Sequence, residues 1–228
     1  MPNYRGLNIQ PVSFGKVDSD ALFGPLDQEI FDFYERSKDR YEKALDIGAN
    51  IGIHSILMAH AGWIVQAYEP DPRHFAEIEK NVDRNLPIGC PFYATPRAVS
   101  NRSGRATFVR VSNNSTGSHL EGLKASYGPV ERFEVDLVDC RPLIAWADFA
   151  KVDCEGAEAD ILETVTNDRC EFMVEVSDLR NAERIFEHFH SLAIGMWAQK
   201  SGWGKVEALG DMPCHHSHGM LFIGRERP

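Results

Sequence analysis

Leu45-Asp46-Ile47-Gly48-Ala49-Asn50-Ile51-Gly52 decides the fold. An apolar run enters a glycine-spaced turn, a helical pattern follows over 52–61, and a second apolar run over 64–69 ends on Glu69. This order predicts strand, turn, helix and strand, the unit with which an open α/β sheet holds a nucleoside at its switch point. Gly48 and Gly52 let the backbone turn sharply and approach a ligand, and the free N–H groups of the helix starting near Gly52 point to the same spot. Glu69 is placed to accept hydrogen bonds from both ribose hydroxyls.

Asp46 bears on which nucleoside. A dinucleotide fingerprint, Gly-x-Gly-x-x-Gly, leaves a pyrophosphate facing bare N–H groups, whereas here the spacing is Gly48-x-x-x-Gly52 with a carboxylate two residues upstream. That acid suits a ligand bringing positive charge to the turn. S-Adenosylmethionine, with its ammonium and sulfonium, fits better than NAD on charge. Asn50 has two readings: it orients the donor's carboxylate, or it fixes the turn through its own side chain.

A second segment, Lys151-Val152-Asp153-Cys154-Glu155-Gly156-Ala157-Glu158, reads as another strand entering a glycine turn and a helix. Alternation puts Lys151, Asp153 and Glu155 on one face of a central strand, where three charges are costly to bury. They serve either chemistry or a plain Lys-Asp ion pair, with Glu158 favouring the first helical turn through the macrodipole.

These blocks, together with Tyr68-Glu69-Pro70-Asp71-Pro72 and the helix that ends near Asn81, resemble the FkbM-type S-adenosylmethionine-dependent methyltransferases in order and separation over about 43–177. The resemblance implies methyl transfer to a hydroxyl oxygen on a sugar, a macrolide or a similar small molecule. It also implies a Rossmann-like class I methyltransferase sheet, mostly parallel with a C-terminal antiparallel strand pair and helices on both faces. The donor site it implies comprises Asp46, Gly48, Asn50, Gly52, Glu69, Pro70, Ala98 and Asp153.

The expected order is a helical cap over 1–42, then a core over 43–228 in one domain. In the cap, 21–39 carries aromatics at near-helical spacing that pack against the core or line a substrate entrance. Strands are expected at 43–48, 64–69, 91–99, 148–154, 171–176, 194–199 and 219–223, with helices at 52–61, 72–85, 157–167 and 180–190. Such alternation means parallel pairing with right-handed crossovers. The stretch 103–111 reads as a short hairpin, and the polar loop 112–118 as a lid or a disordered segment. Ala98, in Arg97-Ala98-Val99-Ser100, presents a small side chain to adenine at the end of the third strand, or is an ordinary strand end.

In-line methyl transfer needs the acceptor oxygen held about 3 Å from the methyl carbon and a sink for its proton. Asp153 and Glu155 lead as direct bases; the other arrangement is a divalent cation held by two carboxylates, Asp153 among them, with Glu175 or Asp178 completing the site. Cys214-His215-His216-Ser217-His218 offers His216 as a third base, a metal ligand set without the second pair that a closed zinc site needs, or a polar loop. Trp197 and Trp203 either stack on a ring acceptor or finish the core.

A chain of 228 residues, 43% hydrophobic, suits a sizeable α/β core. Its net charge of −10 and lack of a basic run argue against nucleic acid. Five cysteines without a Cys-x-x-Cys pair indicate reduced thiols and a cytoplasmic setting. The start, Met1-Pro2-Asn3-Tyr4-Arg5-Gly6, has no signal pattern, and no membrane span is expected. The partner expected is a small hydroxylated acceptor, with the oligomeric state open. Two further readings stay: an NAD-dependent reductase, which predicts glycine where Ser55 stands, and a non-catalytic donor-binding subunit, which has no need of Asp153 and Glu155.

Overall fold

The computed structural model describes residues 4–228; Met1, Pro2 and Asn3 of the N-terminal stretch lie outside it. The chain runs α1 (Pro25–Arg36), β1 (Lys43–Ile47), α2 (Ile53–His60), β2 (Ile64–Tyr68), α3 (Pro72–Asn85), β3 (Phe92–Thr95), β4 (Ala98–Ser100), β5 (Gly104–Val111), β6 (His119–Leu120), β7 (Val130–Asp139) and α4 (Cys140–Trp146). It continues with β8 (Phe149–Val152), α5 (Glu158–Leu162), β9 (Glu171–Glu175), α6 (Leu179–Ser191), β10 (Gly195–Ala198), β11 (Gly204–Lys205) and β12 (Met220–Gly224).

Eight strands form one sheet in the order β11-β10-β12-β9-β8-β1-β2-β3. From β3 to β9 all pairs are parallel, and β12 and β10 close the edge through antiparallel pairs, as the sequence predicts. Strand order reverses between β1 and β8, so the crevice for a ligand opens at the carboxyl ends of these two strands.

Apolar residues cover both faces of this sheet. Leu45, Ile47, Val152 and Val174 pack with α5 and α6 on one side, while Ala44, Val65, Phe149 and Phe222 pack with α1 and α2 on the other. Pro25 starts α1, where its missing N–H costs nothing, and the Asp27 carboxylate accepts the Gly24 N–H at 3.1 Å. Phe33 then meets Phe149 and Phe222, each at 5.6 Å between ring centroids. The cap aromatics therefore pack rather than line an entrance. Trp203 is buried, and Trp197 lies 6.0 Å from Phe222, so both tryptophans finish the core.

Four details correct the sequence reading. The run 91–99 is two strands: Pro96, which has no N–H, interrupts it, and β4 joins a second sheet, β4-β7-β5-β6. The stretch 103–111 is not a hairpin but one arm of it; β5 pairs antiparallel with the unanticipated β7, from Gly104↔Leu137 to Val111↔Val130. The helix expected to reach 167 stops at Leu162, after which the Thr164 hydroxyl donates to the Ile161 carbonyl at 2.7 Å in a β-branched run. Residues 115–117 of the polar loop form a short 3-10 turn over the crevice. All five cysteines are free, and among the described residues no helix is long and apolar enough to cross a membrane.

Candidate functional site

The glycine turn is built mainly by backbone. Gly48, Asn50 and Gly52 all have left-handed φ values, 79°, 54° and 85°. Gly48 and Ala49 both donate to the Tyr68 carbonyl at 3.0 Å, and Asn81 Nδ2 donates to the Ile51 carbonyl at 2.9 Å. A Cβ on Gly48 would stand 1.8 Å from the Asp153 carbonyl oxygen, so the glycine admits the neighbouring strand end rather than a ligand. Asn50 Oδ1 is buried with no hydrogen-bond partner among the described residues, so it does not fix the turn.

Glu69 follows β2 and is 5% exposed. Its Oε2 accepts the Asn50 N–H at 2.9 Å and its Oε1 the Asp71 N–H at 2.8 Å. Burial pushes its pKa up to about 8 against these two donors. The carboxylate of Asp71 meets Arg110 of β5 twice at 2.6 Å, with both residues buried. Burial alone would raise the Asp71 pKa, but the guanidinium wins and holds it below the ordinary carboxylate value. Arg110 also reaches Glu131 at 2.6 Å, and His74 meets the Ser115 hydroxyl at 2.9 Å. The second sheet is thus fastened over the first.

Two cavities meet at the turn. A narrow cleft runs between Glu69, Pro70, Ala98, Val99, Phe108 and Leu120. A wider cavity of about 410 Å³ extends beneath the cap. Gly48, Asn50, Thr116, Asp153 and Glu155 line both.

Asp46 lines neither cavity, which corrects its expected contact with the donor. It points toward α2, fully buried, where its Oδ2 accepts from the Ser55 hydroxyl at 2.5 Å and its Oδ1 lies 3.8 Å from Lys151 Nζ. Parallel pairing sets Asp46 beside Lys151, so their side chains share a face. Burial raises the Asp46 pKa despite the lysine. Ser55, read in the sequence only as a missing glycine, is its hydrogen-bond donor.

Lys151, Asp153 and Glu155 all line the wider cavity, although β8 ends at Val152 and the turn after it, not strand alternation, places Glu155. Lys151 Nζ lies 3.1 Å from Asp153; burial alone would lower the lysine's pKa, but Asp153 and Asp46 outweigh it and hold the cation. Glu155, at φ 55°, pairs with Lys124, and its pKa is raised by burial and by Asp153. Glu175 ends β9 on the same cavity, its pKa driven well up by burial and then by Asp153 and Glu155. Glu158 lies outside both cavities and accepts N–H bonds from Cys154 at 3.1 Å and Gly156 at 3.0 Å; burial raises its pKa to about 7.

Asp178 does not join this group. It caps α6, accepting the Asn181 N–H at 2.8 Å, and lines neither cavity. Among the described residues no three His, Cys, Asp or Glu side chains stand close enough to hold a metal ion, so the cation site expected at Asp153 with Glu175 or Asp178 is not assembled. His216 does reach the wider cavity, with its ring 3.9 Å from that of His215; burial and its neighbours lower its pKa. The rest of that loop bonds to itself, Cys214 N–H to His218 Nδ1 at 3.3 Å.

Sequence reasoning missed Asp27, His54 and Lys124 on the wider cavity. His54 carried a signal, since it stands two residues after Gly52 in the first turn of the fingerprint helix. Asp27 and Lys124 lie in the cap and in a stretch with no regular pattern, and nothing local marks them.

No curated protein matches the chain in sequence. Among solved structures it is similar to a methyltransferase FkbM from Methylobacillus flagellatus KT, at 13% identity and TM-score 0.48, covering 80% of this chain and 43% of that one. The chain thus spans under half the length of that relative. A precorrin-6y C5,15-methyltransferase from Geobacter metallireducens GS-15 is similar at 14% identity and TM-score 0.44, covering 86% of this chain and 85% of that one. A ribosomal protein L11 methylase from Lactobacillus delbrueckii subsp. bulgaricus follows at 12% identity and TM-score 0.46, covering 88% and 79%. Residues 46–197, well over half of the sequence, match the Methyltransferase FkbM domain, and the chain belongs to that family.

Proposed function

We propose that this chain transfers a methyl group from S-adenosylmethionine to a hydroxyl oxygen of a small molecule such as a sugar or macrolide. The observation that carries the reading is the junction of the two cavities at Asn50, whose buried carbonyl oxygen has no hydrogen-bond donor from the described residues. The donor's ribose hydroxyls suit Glu69, and its adenine suits the space between Ala98, Val99 and Pro70. The 5′ side of the ribose then faces the wider cavity, where Asp27, Asp153, Glu155 and Glu175 outnumber Lys124 and Lys151. A sulfonium and an ammonium fit that field, whereas a diphosphate is repelled.

S-Adenosylmethionine supplies a methyl carbon made electrophilic by its positive sulfur. The chain's task is to hold an acceptor hydroxyl in line with it, keep water out and accept a proton. Asp153, fixed by Lys151, and Glu155, fixed by Lys124, are rigid acceptors for hydroxyl groups. A carboxylate of this cavity takes the proton. Free thiols at all five cysteines fit a cytoplasmic setting.

Thermal unfolding with S-adenosylmethionine, S-adenosylhomocysteine and NAD in turn tests the donor. At a hundredfold excess over the dissociation constant a ligand adds about 2.7 kcal/mol, a rise of roughly 5 to 10 °C for a chain of this length. Shifts with both sulfur nucleosides and none with NAD are expected. A shift with NAD alone refutes the reading.

A further inference from the structure

We propose that Glu175 is the catalytic base, the group that takes the acceptor's hydroxyl proton as the methyl group arrives. The inference rests on the methyl-transfer reading above. A carboxylate is a weaker base when a cation or a hydrogen-bond donor stabilises its charged form, and the four carboxylates of the wider cavity differ in this respect. Asp27 accepts the Gly24 N–H and faces His54 Nε2 at 3.9 Å. Asp153 is paired with Lys151, and Glu155 with Lys124. Glu175 alone among them makes no hydrogen bond and no ion pair with the described residues.

Its position suits the role. β8 and β9 are parallel, with Val152 opposite Val174, so Asp153 and Glu175 leave adjacent strands at the same edge of the crevice. Asp153, Glu155 and Lys151 act on Glu175 from β8 and the turn after it and Glu158 from the start of α5, while Asp27 and His216 line the same cavity from α1 and from the loop before β12. Burial and the negative charges of Asp153 and Glu155 outweigh Lys151 and make its carboxylate far more basic than a solvated glutamate. The rival His216 is exposed, leans on His215, and is less basic than a free histidine.

The step balances simply. The hydroxyl oxygen forms a bond to the methyl carbon while the carbon–sulfur bond breaks and its electron pair returns to sulfur. The hydroxyl proton goes to Glu175, which later releases it to water.

Sinefungin, which carries an amine where the donor carries its sulfonium methyl, probes this without an acceptor. Its affinity and proton release are read by calorimetry at pH 7 in two buffers of different ionisation heat, beside S-adenosylhomocysteine. In the wild-type chain the ammonium of sinefungin should lower the Glu175 pKa and release protons from it. Glu175→Gln should abolish that release and weaken sinefungin about tenfold while leaving S-adenosylhomocysteine affinity unchanged. Glu175→Asp keeps a titrating group and should keep the release. Equal sinefungin affinity and release in Glu175→Gln overturn the proposal, as does the absence of any release from the wild-type chain should that variant fail to fold. Failure of both nucleosides to bind the wild-type chain refutes the donor reading itself, and the base with it.

Discussion

Gly48→Ala and Gly52→Ala make the same chemical change at two left-handed positions of one turn, and the structure predicts unequal costs. Each alanine must adopt a positive φ, a penalty of about 1–2 kcal/mol. At Gly52 little is added, because the new Cβ meets only Ile78 side-chain carbons at 3.4 Å. That variant should unfold about 2–8 °C lower, at 2–4 °C per kcal/mol for a chain of this size. At Gly48 the Cβ falls 1.8 Å from the Asp153 carbonyl oxygen and 2.8 Å from its carbonyl carbon. Both are backbone atoms, and the Asp153 N–H is itself bonded to Ile47 at 3.0 Å, so β1 and β8 must part where their ends form the site. The total should exceed about 4 kcal/mol, and Asp153 should be carried out of place. Thermal unfolding with calorimetric titration of S-adenosylhomocysteine measures both effects. If Gly48→Ala unfolds within a degree or two of Gly52→Ala and binds the nucleoside equally well, the close approach at Gly48 is not what shapes the turn.

The remaining predictions concern charge. Lys151→Met strips the cation from fully buried Asp46 and should cost about 3–5 kcal/mol in urea unfolding at pH 7, less at pH 5, where Asp46 can take up a proton. Asp153→Asn, by loosening the hold on the acceptor hydroxyl beside Glu175, should leave S-adenosylhomocysteine affinity unchanged and lower methyl transfer to hydroxylated acceptors about a hundredfold; equal turnover removes Asp153 from the mechanism. Arg110→Met, by freeing Asp71 beside Glu69, should weaken S-adenosylhomocysteine about tenfold in the same titration. Glu158 at about 7 and Glu69 at about 8 hold protons in the folded chain that an unfolded chain, near 4.5, has lost. Stability contributed by these two groups is complete below about pH 4.5 and is lost as pH rises through 7 and 8, so the urea midpoint of the ligand-free chain should fall from pH 5 to pH 8.

The sheet was legible because its strands are short apolar runs separated by helical patterns, and 72–85 matches α3 at both ends. The second sheet was not legible: β7 alternates charged with apolar residues, Val130-Glu131-Arg132-Phe133-Glu134-Val135, which reads as solvated surface until its partner is known. That partner, β5, lies about 26 residues away in sequence, a non-local pairing that no local window contains. Glu69, Pro70, Ala98, Asp153 and Glu155 were legible as cavity lining because they stand just beyond strand ends, where the crevice opens. Asp46 was misplaced for a physical reason. Its charge suggested a ligand, yet the alternation of β1 turns it to the face that α2 covers, where Ser55 and Lys151 answer it.

The bond between Arg110 and Asp71 has a kinetic consequence. Asp71 belongs to the same short link as Glu69, and Arg110 belongs to the sheet that roofs the cleft, so the roof cannot lift from α3 without separating two buried ions. On the proposed placement, the donor's adenine end is enclosed by parts that travel together, whereas the wider cavity is lined in part by exposed side chains such as Tyr127 and His216. Exchange of spent for fresh donor on that placement runs through the space assigned to the acceptor, which predicts an order that product-inhibition kinetics reads: donor first, acceptor second, methylated product leaving before the nucleoside.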